Sequence, residues 1–269
     1  MALEKELQTM IDMSDFTFCI PCKIDTPERQ ENLRINLEYM TQNVKATYLV
    51  GELDEAPKAV VLKHPSVQHI FTKSTESFFY RTRLLNSLFT QSKTSFVVNY
   101  DLDVLIPLSS WKMTATLLRT TVYSFVYPYN GIFYFCPRTY IDGALKACTE
   151  GTHLFSKDFL YAGHTSYGGA VAASRKDYLA MGGENENFKS WGCEDWERMC
   201  RWQALQYRWT RVSAPEAVLY HMNHPMLADS SKGNPYYTAN ENEYFRLQRM
   251  TTEEMQAHVN SWSWKKGLS

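Results

Sequence analysis

The chain has 269 residues, 44% of them hydrophobic and 21% charged, a globular composition that excludes disorder as its main state. A formal net charge of -1 offers no basic field to a nucleic-acid backbone, so no nucleic-acid partner is expected. No apolar run approaches the roughly 20 residues that span a bilayer, and the charged opening stretch lacks a signal-peptide core. A cytoplasmic protein with at most peripheral membrane contact is the expectation.

Phe16 to Ile20 is a short β-rich run that ends at Pro21. Pro27 sits where a helix can begin, with Thr26 as N-cap and Leu33, Leu37 and Met40 at helical spacing behind it. Strands are expected at Ala46–Val50 and Val67–Phe71, an amphipathic helix at Phe78–Phe89, and a buried strand at Ser95–Tyr100. This alternation implies βαβ units and a doubly wound α/β fold with a mostly parallel sheet. After Asp103 the rhythm changes. Trp111–Arg119 and Ile141–Cys148 read as helices, and Thr121–Tyr127 and Gly131–Phe135 as aromatic strands around a turn at Pro128–Gly131. Gly168–Ser174 is a strand of small residues that permits close backbone approach. A helix at Asp195–Leu205, a strand at Trp209–Val212 and a polar helical tail at Glu241–Val259 follow. No repeat or linker interrupts the chain, so one domain is expected.

The six cysteines include Cys19-Ile-Pro-Cys22. A zinc site needs a second close pair, which is absent, and a redox pair normally opens a helix rather than ending a strand. Reduced cysteines in and beside a core strand are therefore expected.

Four stretches carry charge where chemistry needs it. Asp101-Leu102-Asp103 ends the strand at the edge where open α/β sheets bind ligands. Two carboxylates there call for a counter-charge, and Mg²⁺ or Mn²⁺ bridging to a diphosphate supplies one; a solvated turn is the alternative. In Lys189-Ser-Trp191-Gly-Cys-Glu194-Asp195-Trp196-Glu197 the acidic pair falls at a helix N-terminus, whose dipole favours ionised carboxylates and suits a general base. The same pattern also describes an acidic cap with core tryptophans. His221-Met-Asn-His224 places two imidazoles three residues apart, either metal ligands or ordinary histidines. Phe79-Tyr80-Arg81-Thr82-Arg83-Leu84-Leu85-Asn86 is an amphipathic helix with a cationic side that also suits phosphate.

The order of these pieces resembles that of the inverting β-1,4-galactosyltransferases and related bacterial transferases of the GT-A fold. The resemblance lies in Arg81–Asn86, Asp101-Leu-Asp103-Val-Leu-Ile-Pro107, Gly168-Gly169-Ala-Val-Ala172 and Trp191-Gly-Cys-Glu194-Asp195, with Met181–Phe188 similar to a further family segment. It spans roughly Phe16 to Arg246.

The resemblance implies a single GT-A domain, with a nucleotide-binding half at about 15–107, an acceptor-binding half at about 108–240 and a helical tail at 241–269. It implies a UDP-sugar donor, a glycan or glycolipid acceptor and Mn²⁺ or Mg²⁺. Asp103 and His224 would be metal ligands, and His221 stands where the galactosyltransferases have methionine, leaving its role open. Asp195 would be the catalytic base, Glu194 would orient the acceptor and Trp191 would line its side. Pro21, Lys23, Asp25, Arg29, Phe79, Arg81, Asp101, Gly168 and Gly169 would surround the nucleotide sugar. Ser166 aligns with the tyrosine that restricts donors to galactose, so GalNAc and GlcNAc remain open beside galactose. The family's third acidic residue is Trp196 here, and the stretch from Pro107 to Gly168 is longer. A microbial or viral enzyme of surface-polysaccharide synthesis is the expected setting. A retaining reaction is the closest alternative. A non-catalytic carbohydrate-binding protein would not need both acidic clusters, and a nucleotidyltransferase would carry a glycine-rich loop where Pro21–Asp25 has none.

Overall fold

The computed structural model describes residues 10–161, 165–227 and 230–268. Strand β1 (Ile11–Cys22) lies inside the sheet, and Phe16, Phe18, Cys19, Ile20 and Cys22 are all fully buried. Such a continuous apolar run suits a strand covered on both faces. Parallel neighbours flank it, β2 (Val44–Asp54) on one side and β4 (Phe96–Tyr100) on the other. Beyond β2, strand β3 (Val67–Lys73) forms an edge. Beyond β4 come β9 (Ala170–Ser174), β6 (Phe125–Tyr127) and β10 (Trp209–Arg211). The order is β10-β6-β9-β4-β1-β2-β3, and β9 alone runs antiparallel.

Helix α1 (Pro27–Asn43) starts as expected, with Thr26 Oγ1 accepting the Arg29 N–H at 3.2 Å. Helix α2 (Arg81–Gln91) starts three residues later than Phe78, because Phe78 is buried against Tyr80 and Tyr236 ahead of the first turn. Helices α3 (Leu108–Thr120), α4 (Ile141–Glu150), α5 (Arg175–Ala180) and α6 (Glu194–Ala204) follow.

Two expectations need correction. The aromatic strands about Pro128–Gly131 do not pair with each other. β6 joins the main sheet, whereas β7 (Phe133–Cys136) joins a second sheet of order β5-β11-β7-β8, with β5 (Val104–Leu105), β8 (Leu160–Tyr161) and β11 (Leu219–Met222). Buried Tyr129 and the bond from Asn130 N to Ala217 O (2.6 Å) carry the chain across between sheets. The tail is two helices, α7 (Tyr237–Leu247) and α8 (Thr252–Ser261), broken where Thr251 and Glu254 form a reciprocal capping box. It is not polar all round, for Leu247, Met255, Val259 and Trp262 bury a small second core with Phe188.

All six cysteines are free, and Cys19, Cys22, Cys136 and Cys148 are buried. Among the described residues, no helix is long and apolar enough to cross a membrane.

Candidate active site

Asp101, Leu102 and Asp103 form the turn between β4 and β5, with Leu102 anchored in the core. The antiparallel pairing of β5 with β11 sets His221 opposite Val104, and Met222 N bonds Asp103 O at 2.7 Å. Pairing across the small sheet thus delivers both histidines to the carboxylate. Asp103 Oδ2 lies 3.1 Å from His224 Nε2 and 3.5 Å from His221 Nε2. One ligand atom from each of the three side chains falls within 4.8 Å of the others. Burial raises the Asp103 carboxyl, but the two imidazoles outweigh it and hold the group well below the usual range. His224, despite its burial, is raised by the same contact.

The donor set fits a divalent cation. His224 Nδ1 lies 2.9 Å from Pro225 O, and donation there leaves Nε2 with a lone pair aimed at the cluster. His221 Nδ1 is buried without a protein partner. One carboxylate and two imidazoles suit transition metals such as Mn²⁺ better than Mg²⁺, which prefers oxygen ligands and retained waters.

Asp101 does not join that cluster. Its Oδ1 accepts Arg81 Nη2 at 2.5 Å, and the same nitrogen donates to Asn99 Oδ1 at 2.9 Å. The two carboxylates of the turn therefore have separate counter-charges. Helix α2 explains the Arg81–Asn86 pattern: Arg81 faces the site, Leu84 and Leu85 enter the core, and Asn86 ties down a distant loop. Asn86 Nδ2 donates to Glu184 O at 3.0 Å, and its Oδ1 accepts Glu184 N at 2.7 Å. Exposed Arg83 instead stacks its guanidinium over Tyr80.

The acidic pair opens α6 after a sharp bend, with φ of +56° at Ser190, +126° at Gly192 and +66° at Cys193. A side chain on Gly192 would strike Tyr237, its Cβ lying 2.8 Å from the ring. Glu194 Oε2 accepts the Gly192 N–H at 3.0 Å. Burial, with the neighbouring charge of Asp195, pushes the Glu194 carboxyl up to about 7. Asp195 Oδ1 accepts Arg198 Nη2 at 2.5 Å, while Oδ2 rests over Gly168, where any Cβ would stand 2.8 Å away. Gly169 (φ +82°) must be glycine for a different reason: its Cβ would lie 2.6 Å from Leu219. Charges of Asp101, Asp195, Glu194 and Glu184 all act on the Arg81 guanidinium, so the end of β4 and the start of α6 share one pocket of field.

The remaining expected residues divide. Arg29 and Asp25 pair at 3.1 Å, and the Arg29 charge reaches Asp103 and His224, placing both beside the metal cluster. Lys23 is half-buried in the same loop. Pro21 is not in that loop; β1 runs to Cys22, and Pro21 is buried in register with Gly51. Phe79 is half-buried on the approach to α2. Trp191 is 41% exposed and stacks on Tyr237 at 5.8 Å.

Several polar residues behind the site were not foreseen. Asn32 and Asn36 of α1 donate to Met222 O and Val104 O, each at 2.8 Å, and so brace the strands that carry the metal cluster. Glu184, Arg198 and Asn99 form a buried network between the two acidic clusters. Asparagines at helical spacing among the buried leucines of α1 were the available signal.

A family profile described as the N-terminal domain of galactosyltransferase matches residues 152–225. No curated protein matches the chain. Among solved structures, GalNAc-T7 with UDP, GalNAc and Mn²⁺ superposes with a TM-score of 0.58 at 10% identity, covering 91% of this chain and 50% of that one. The mannosyltransferase PcManGT from Pyrobaculum calidifontis with GDP-Man and Mn²⁺ gives 0.52 at 13% identity, covering 93% and 69%. S. aureus TarS residues 1–349 with UDP gives 0.52 at 12% identity, covering 94% and 73%. The chain therefore has the GT-A fold of these proteins, and its galactosyltransferase-like segment spans both the Gly168-Gly169 strand and the acidic helix start.

Proposed function

We propose that the chain is a metal-dependent inverting enzyme that moves a hexose or N-acetylhexosamine from a UDP-sugar to a hydroxyl of a glycan or glycolipid. The carrying observation is a pair of clusters linked through Asp101 and Arg81: a carboxylate–imidazole group at Asp103, whose charge acts on Asp101, and Asp195, with Oδ2 held against Gly168, whose charge acts on both. UDP and Mn²⁺ accompany the GalNAc-T7 neighbour, and Mn²⁺ also the mannosyltransferase, which supports the same ligands here.

In this reading Asp103, His221 and His224 hold the ion, which when bound supplies positive charge to the departing diphosphate. Arg81, whose Nη1 is buried without a protein partner, has donors left for a phosphate oxygen. Residues 15–107 hold the nucleotide, with Lys23, Asp25, Arg29 and Phe79 around it. Residues 108–240 hold the acceptor. Asp195 Oδ2 takes the proton of the attacking hydroxyl while Trp191 and Glu194 align the acceptor ring. Attack from the face opposite the leaving group inverts the anomeric carbon. Ser166, whose Oγ accepts the Gly168 N–H at 3.3 Å, is small enough to admit an N-acetyl group beside Gly168-Gly169.

The test is Asp195→Asn assayed against a panel of nucleotide sugars with Mn²⁺. Removing a general base costs on the order of 10²–10⁴ in turnover, while stabilisation of the protein by UDP and Mn²⁺ should persist. Undiminished turnover overturns the assignment. A product anomer of the donor's own configuration, read by NMR, would mark a retaining reaction instead.

A further inference from the structure

Beneath the site, Arg198 shares one guanidinium between two carboxylates. Its Nη1 lies 3.1 and 3.3 Å from the oxygens of Glu184, and its Nη2 lies 2.5 Å from Asp195 Oδ1 and 3.2 Å from Tyr167 O. The side chains of Arg198 and Glu184 are 1% and 0% exposed. Glu184 also accepts from the Tyr178 hydroxyl and from Asn99 Nδ2 at 3.1 Å. Asn99 in turn receives Arg81, which bonds Asp101. A single polar chain thus runs from the start of α6 to the end of β4.

Stability alone does not explain such a pair. Desolvating two ions costs several kcal/mol each, and well-packed apolar residues often serve as well or better. What apolar residues cannot do is fix a carboxylate's orientation. The planar fork of arginine occupies Asp195 Oδ1 and leaves Oδ2 as the oxygen over Gly168.

We propose that Arg198 and Glu184 are positioning residues: Arg198 presents Asp195 Oδ2 to the acceptor hydroxyl, and Glu184 offsets the arginine's charge beside Asp195. The proposal rests on the reading of Asp195 as the base. The other charged or titratable groups facing Asp195 are Glu194 on its own helix, Arg81 from α2, Asp101 at the end of β4, and Tyr127 and Tyr129 on and just beyond β6.

The test compares the parent with Glu184→Gln and with the double variant Glu184→Gln/Arg198→Gln, each with saturating Mn²⁺ and donor. Glu184→Gln keeps shape and hydrogen bonding but exposes Asp195 to the full arginine charge. Turnover should fall about tenfold, donor KM should stay within about twofold, and the pH of half-maximal turnover on the acid side should move down. The double variant removes both charges together, so no lone ion is buried. Its turnover should fall on the order of 100-fold, and its acid-side half-activity pH should move up. Opposite displacements at constant donor KM are a result that a purely structural pair would not give. Profiles that superimpose on the parent overturn the proposal, as do turnover losses matched by donor KM with a lowered unfolding temperature. Asp195→Asn separates the two claims. If it turns over normally, the base reading falls and this inference with it. If it is inactive while both network variants behave like the parent, only the positioning role falls.

Discussion

Glu194 and Asp195 are neighbours in the chain, yet the fold puts them in different electrostatic situations. Asp195 has a guanidinium at 2.5 Å. Glu194 has backbone amides, its own and that of Gly192, as hydrogen-bond donors, and burial beside the Asp195 charge raises it to about 7. A carboxyl held above its ordinary 4.5 binds a proton more tightly when folded than when unfolded. Its contribution to stability is therefore complete below about pH 4.5 and is lost as pH rises through about 7. The size is about 3 kcal/mol, taking about 1.4 kcal/mol for each tenfold change in proton affinity. Glu194→Gln removes this dependence. Urea unfolding at pH 5 and pH 8 should show the parent losing stability over that interval and the variant losing about 2 kcal/mol less, part of the effect being already gone at pH 5. Equal losses in both proteins would mean that Glu194 is ionised throughout this range.

At the scale of elements, the loop from Gly182 to Cys193 carries the site but has little regular structure of its own. It is held from both sides. From α2, Asn86 pins Glu184, and Thr82 Oγ1 donates to Phe188 O at 3.1 Å. From α8, Trp262 packs against Gly182, where a Cβ would lie 2.7 Å from the indole, and Arg201 stacks over the same ring at 5.1 Å. Trp262→Ala should therefore cost about 3–5 kcal/mol, the usual range for deleting a large aromatic from a core. Chemical denaturation checks that figure. A loss under about 1 kcal/mol would show that α8 is an appendage rather than a clamp. The polar reading of the tail failed because Leu247, Met255, Val259 and Trp262 are the tail residues buried in the small second core, and one in α7, two in α8 and one just beyond it leave a weak periodic signal. Helix α2, by contrast, was plain from its leucines. What its sequence could not show was that Arg81 points at Asp101 and Asn86 at Glu184, since those partners are set by tertiary packing.

Across the whole molecule, the site lies where the two sheets meet, and Asp103 belongs to the turn that joins them. The main sheet was legible because its strands are buried runs separated by helices. The small sheet was not: β5 and β8 are two residues each, and β11 pairs with strands far away in the chain. For the same reason, Asp101-Leu-Asp103 and His221-Met-Asn-His224 could each be seen as separate clusters, whereas their convergence depends on the register that places His221 opposite Val104. An ion on Asp103, His221 and His224 would tie the β4–β5 turn to β11, linking segments that the unfolded chain keeps apart. Binding confined to the folded state then stabilises it by about 2.7 kcal/mol at a hundredfold excess over Kd. Mn²⁺ added to chelator-treated protein should raise the unfolding temperature by several degrees without any nucleotide, and Mg²⁺ should do so less, because two of the three ligands are imidazoles. His224→Ala should remove most of the Mn²⁺ increment, measured against that variant's own chelated transition. If the increment survives in His224→Ala, the ion sits elsewhere and the carboxylate–imidazole cluster is a hydrogen-bonded join between the sheets rather than a metal centre.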